Sequence, residues 1–165
     1  MSESAPARGA PVALAEITRE NLSEYLRLKV APEQEGFVAP NAVSIAQAHF
    51  HPQAWFRGIV AAGAPVGFAM LEDWTLAPAA APDDWRREPY VYLWRFMIDR
   101  RFQSLGFGAG AMAALIAHAR ARPGARCMLL SFVPGEGSPE PFYRRFGFAP
   151  TGEVSEGEHV MRLAF

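Results

Sequence analysis

The sequence predicts an α/β protein: a mixed β-sheet with helices on its faces. Three observations carry this. Strand-like segments come as a run over 54–99. From 89 onward strands and helices alternate, the mark of βαβ units. Half of the 165 residues are apolar, enough to bury a core without cross-links.

Residues 1–10, rich in Ser, Ala, Pro and Gly, are expected as a disordered tail, leaving 11–165 as one domain. "VALAEIT", 12–18, reads as a first strand. Thr18 is expected to cap a helix whose inner stripe is Leu22, Tyr25, Leu26 and Leu28, stopped at Pro32. "EQEGFVAPN", 33–41, reads as a loop, and "AVSIAQAHF", 42–50, as a helix capped by Asn41. Residues 54–74 read as a hairpin turning at Gly63-Ala64-Pro65. A proline- and alanine-rich loop follows over 75–88. "PYVYLWRFMID", 89–99, is apolar on both faces, so it belongs at the sheet centre. A glycine loop then leads into a helix over 106–121, with Met112, Leu115, Ile116 and Ala119 inward and Pro123-Gly124 at its end. The rest reads as a strand over 126–133, a tight loop over 134–141, a short helix over 139–148 and a last strand, "HVMRLAF", 159–165.

Composition excludes several functions. A net charge of −1 gives no basic surplus for nucleic acid or an acidic membrane surface. The lone Cys127 forms no internal disulfide and no multi-cysteine metal site, and no metal is expected. The N-terminal "MSESAPARGAP" lacks the apolar core of a leader, and no apolar run has membrane-spanning length; the expected location is cytoplasmic.

"RFQSLGFGAG", 101–110, places three glycines in five positions ahead of a helix. Such a helix start offers unpaired N–H groups to an anion, and Gly106 and Gly108 remove side chains from its approach. Gln103 has an amide to donate, and Arg100 and Arg101 add charge. Three readings fit the loop. A dinucleotide loop wants an acid at the end of the next strand, which here is Ser131-Phe132-Val133. Glycines that serve close helix–sheet packing are the second. An acyl-coenzyme A loop, Q-x-x-G-x-G between a central strand and a helix, is the third.

"RFMIDRRFQSLGFGAGAMAALI", 95–116, with "PFYRRFGF", 141–148, resembles the GNAT superfamily of N-acetyltransferases over nearly the whole chain. "LRLKVAPEQEGFVAPNAVSIAQAHF" further resembles its bacterial spermidine/spermine (diamine) acetyltransferase branch. The resemblance implies acetyl-coenzyme A as cosubstrate, lying where strands 89–99 and 126–132 splay. Backbone near Met97 and Ile98 would pair with its pantetheine arm. N–H groups of Gln103, Ser104, Leu105, Gly106, Phe107 and Gly108 would hold its pyrophosphate. Tyr143 stands at the family's general-acid position. The acceptor implied is a small-molecule amine, such as a polyamine, attacking directly in a ternary complex.

An ammonium of pKa about 10 must lose a proton before it attacks. The base stays open between Glu72, its neighbour Asp73 and a water relay, because Tyr92 falls near the position where relatives carry an acid. Glu136 replaces the family's usual asparagine ahead of the tyrosine helix. Glu33, Glu35 and Phe37 border the implied acceptor site, the two carboxylates suiting a cation. Arg95, in an apolar strand, is expected to need a carboxylate partner, which Glu72 or Asp73 could supply. The last strand is apolar enough to pair two subunits as a homodimer. Other acceptors (an amino acid, a drug-like amine, a protein N-terminus) and a coenzyme-binding sensor with little catalysis are the competing functions.

Overall fold

The computed structural model describes residues 5–77 and 88–165. Its elements run β1 (Val12–Ala15), α1 (Leu22–Leu26), α2 (Asn41–His49), β2 (Ala54–Ala61), β3 (Ala64–Asp73), β4 (Tyr90–Ile98), α3 (Phe107–Arg120), β5 (Cys127–Phe132), α4 (Glu140–Arg144), β6 (Ala149–Ser155) and β7 (Glu158–Ala164). The seven strands form one mixed sheet in the order β1-β2-β3-β4-β5-β7-β6, with β4 fourth of seven. By internal contacts the chain divides into two compact units: Met1–Met70 with Arg95–Leu115, and Leu71–Trp94 with Ile116–Phe165. Most of the loop expected over 75–88 lies outside the described residues.

In the first unit, β1 pairs antiparallel with β2, from Val12↔Ala61 to Ala15↔Gly58. The hairpin between β2 and β3 turns one residue earlier than its glycine–proline signal suggests. Ala62 and Gly63 both take positive φ (47° and 82°), the two-residue turn that matches strand twist, and Pro65 lies inside β3. Asn41 is not the cap of α2 but its first residue. Its buried amide donates to the Tyr25 carbonyl (2.9 Å), which also accepts from the Leu28 N–H (3.3 Å), so the start of α2 is tied to the end of α1. The end of the expected tail is held in place: the Gly9 N–H donates to the Leu105 carbonyl (2.8 Å).

In the second unit, β4 and β5 run parallel from Tyr90↔Cys127 to Leu93↔Leu130, while each strand continues further. β5 pairs antiparallel with β7 over six registered pairs, and β7 pairs with β6 on its other side. The strand β6 is absent from the sequence reading. Its "APTGEVS" carries a proline and a glycine, and it is mostly exposed, as an edge strand tolerates. This addition corrects the subunit-pairing argument: β7 is an inner strand with both edges filled within the chain.

Candidate active site

The glycine loop belongs to the first unit. Ser104 (φ 61°) and Gly106 (φ 92°) both take the left-handed conformation, so the backbone curls before α3 begins at Phe107. Helix geometry leaves the N–H groups of Phe107, Gly108 and Ala109 without intrahelical acceptors. A curled, side-chain-poor backbone ahead of such a terminus is an anion cradle, so the fold offers what a coenzyme pyrophosphate requires. Gln103 differs from expectation. Its side-chain amide donates inward to Gln34 Oε1 (2.7 Å) and the Ile98 carbonyl (3.0 Å), because two acceptors flank it there. The Gln34 oxygen also accepts from the Ala31 N–H (3.2 Å). The 32–34 turn is thereby tied to the glycine loop. Arg100 and Arg101 border a cavity of about 810 Å3 together with Arg27 and Lys29, two cations the sequence reading did not single out.

Asp99 anchors the end of β4. It is buried and accepts from the N–H groups of Lys29 (2.9 Å) and Arg101 (3.0 Å) and from Arg101 Nε (2.7 Å). Burial pushes its pKa up, but the Arg101 side chain and the two backbone donors outweigh it and leave the carboxyl below its ordinary value. A depressed native pKa gives stability that is present above about pH 4 and lost as the pH falls toward the native value. Asp99→Asn is therefore expected to lower stability by about 2 kcal/mol at pH 7. Urea midpoints measured at pH 7 and pH 3 should show the gap to wild type narrowing in acid.

A second cavity of this unit, about 370 Å3, brings Glu35 and Met97 onto one wall system with Leu28, Val38 and Asn41. Glu33, exposed, and Phe37, half-buried, are not among its lining residues. Arg95 donates to the side-chain carbonyl of Gln47 on α2 (3.2 Å), a partner the sequence reading did not name.

The second unit holds the tyrosine. Tyr143, on α4, is buried, edge-on to Phe142 and Phe148. Burial first, then the nearby Tyr92 and Glu158, raise its pKa well above that of a free phenol, so it carries its proton throughout the neutral range. Glu72 is not a solvated strand end: it is buried and accepts from the Trp74 indole (2.9 Å). Asp73 accepts from the Thr75 N–H and hydroxyl (3.0 and 2.6 Å) and pairs with Arg122. Burial works against these contacts, yet its pKa remains lowered. Glu136 is exposed between Gly135 and Gly137, both at positive φ. Cys127 is buried, and burial above all pushes its thiol up to about 11, so no thiolate forms at neutral pH.

The sequence reading missed Ser131 and Glu158. The Tyr92 hydroxyl lies 2.6 Å from Ser131 Oγ, and the Ser131 hydroxyl donates in turn to Glu158. Strand parity would have put Tyr92 and Ser131 on one face. Glu158 was hidden because the β6–β7 hairpin was not recognised.

Known proteins agree with this architecture. The acetyltransferase (GNAT) family matches residues 13–148. A spermine/spermidine N(1)-acetyltransferase of Bacillus subtilis (strain 168) is 31% identical over 149 residues, 88% of this chain and 93% of that protein. An acetyltransferase from Thermus thermophilus superimposes with a TM-score of 0.69 at 13% identity, covering 94% and 97% of the two chains. The PaiA N-acetyltransferase of Thermoplasma acidophilum, solved with coenzyme A, superimposes with a TM-score of 0.65 at 12% identity, covering 93% and 99%. The chain belongs to the GNAT acetyltransferase family and is an acetyl-coenzyme A-dependent N-acetyltransferase.

Proposed function

We propose that the acceptor is a small cationic amine of the polyamine class. The observation that carries this is Glu35, a carboxylate on the wall of the same cavity as Met97. A carboxylate there would hold one ammonium of a diamine by a charge-assisted hydrogen bond while the other end reacts. The Bacillus subtilis relative, named for spermine and spermidine, supports the same class. Reactions of this kind draw on a cytoplasmic coenzyme pool, which is where we assign the enzyme.

Acetyl-coenzyme A supplies an activated acyl thioester, and the protein supplies position and protons. In our reading the backbone from Gln103 to Gly108 receives the pyrophosphate. Backbone groups of Met97 and Ile98 extend the sheet to the pantetheine arm. Tyr143, kept protonated by its burial, gives its proton to the departing thiolate sulfur. No covalent enzyme intermediate is needed, and the protonated Cys127 is no nucleophile.

Release of coenzyme A thiol across a panel of amines tests the assignment. Spermidine, spermine or a shorter diamine should give saturable turnover. Glu35→Gln should raise the amine KM roughly tenfold with kcat nearly unchanged. Turnover confined to amino acids, drug-like amines or protein N-termini would refute the polyamine class. Binding of acetyl-coenzyme A without turnover would point to a sensor.

A further inference from the structure

We infer that Tyr92, Ser131 and Glu158 form a proton relay that removes the acceptor amine's proton, with the Glu158 carboxylate as its end point. The inference rests on the amine-acetylation reading and supplies the base that reading lacks.

The relay lies on one face of the sheet. Tyr92 registers with Leu129, and Ser131 stands two residues further on the same face. Ser131 registers with Val160, and Glu158 stands two residues before it. Alternation therefore gathers all three from β4, β5 and β7. The contacts follow: Tyr92 hydroxyl to Ser131 Oγ at 2.6 Å, and Ser131 hydroxyl to Glu158.

The direction of the chain is fixed by donor arithmetic. A carboxylate only accepts, and a serine has one proton. Ser131 spends that proton on Glu158, so Tyr92 must donate to Ser131. Every O–H dipole thus points from Tyr92 toward Glu158, which is the polarity needed to carry a proton that way. The other carboxylates of this unit considered as bases are committed elsewhere: Glu72 accepts from Trp74, and Asp73 is held by Thr75 and Arg122.

The transfer balances without an outside reagent. An ammonium N–H bond breaks as an O–H bond forms on Tyr92. The former Tyr92 proton passes to Ser131, and the former Ser131 proton passes to Glu158, leaving a neutral carboxylic acid and a neutral amine. Glu158 is half-exposed and returns the proton to solvent. Titratable groups near it stand on β4, on α4 and on its own strand. Tyr92 on β4 and Tyr143 on α4 share its electrostatic surroundings. On β7 itself, Arg162 is drawn to Glu88 and His159 turns edge-on to Phe132. Tyr143 beside the relay puts the proton-removing and proton-giving groups within one cluster.

The test is the pH dependence of kcat/KM for the amine in Glu158→Gln and Ser131→Ala, with melting temperature and acetyl-coenzyme A affinity measured alongside. Without the relay the amine must arrive already neutral. Both variants should lose on the order of 10²-fold at pH 7, and the loss should close as the pH approaches the amine's own pKa of about 10. Coenzyme affinity should not move. Ser131→Ala, the smaller change, decides the matter if Glu158→Gln folds poorly. Equal losses at every pH, or none, would overturn the relay while leaving amine acetylation intact. A wild-type enzyme that acetylates no amine removes that reading and the relay with it.

Discussion

Tyr143→Phe is expected to lower kcat about 10²-fold while leaving acetyl-coenzyme A affinity and melting temperature close to wild type. Phenylalanine keeps the ring that packs against Phe142 and Phe148, so the fold is preserved and only the hydroxyl is lost. The wild-type pH profile carries a second sign of the same group. A general acid must be protonated to act. Burial raises the Tyr143 pKa, so its alkaline limb should lie above the ordinary phenol value of about 10. Initial rates from about pH 7 to about pH 10.5, on either side of that value, check both statements. A Phe variant with undiminished kcat would remove Tyr143 from the reaction.

Gly67→Ala should be strongly damaging to the first unit. A Cβ at Gly67 would stand 2.4 Å from the Met97 carbonyl oxygen and 2.9 Å from Ile98 Cδ1. The first contact is against backbone within a sheet, so no side-chain rotation relieves it. The Asp99 N–H, bonded to the Val66 carbonyl (2.8 Å), pins the strands on the next residue. Relief therefore requires moving Met97 and Ile98, the segment assigned to the pantetheine arm. We expect a stability loss of about 3 kcal/mol and a raised KM for acetyl-coenzyme A. Thermal melts and coenzyme titration of the variant measure the two effects separately. A stable variant with unaltered coenzyme KM would show that this segment has slack.

Much of this was legible because the relevant signals are local. Glycine spacing announced the curled backbone before α3, and doubly apolar β4 announced its central place. The parts that escaped depend on pairing between distant segments. Nothing near Gln103 shows that its amide will turn toward Gln34, 69 residues away. Asp73 looks like a solvated strand end until Arg122 is folded against it. β6 escaped because its proline and glycine break the alternating pattern that marks strands, and an edge position is where such residues survive. With β6 went the hairpin that sets Glu158 beside Ser131. A polar chain across three strands leaves no trace in the sequence of any one of them.

The place of β7 has a consequence for how the protein is made. β5 and β6 both leave the ribosome before the strand that must lie between them. Until residues 158–164 emerge, one edge of β5 stands open and β6 has no neighbour to join. Early collapse of β6 directly onto β5 would be a trap, since it would have to be undone to admit β7. The poor strand-forming sequence of β6 lowers that hazard by keeping premature pairing weak. Growing chains of this enzyme should accordingly stay protease-sensitive in their later half until β7 is free, and then become resistant in a single step.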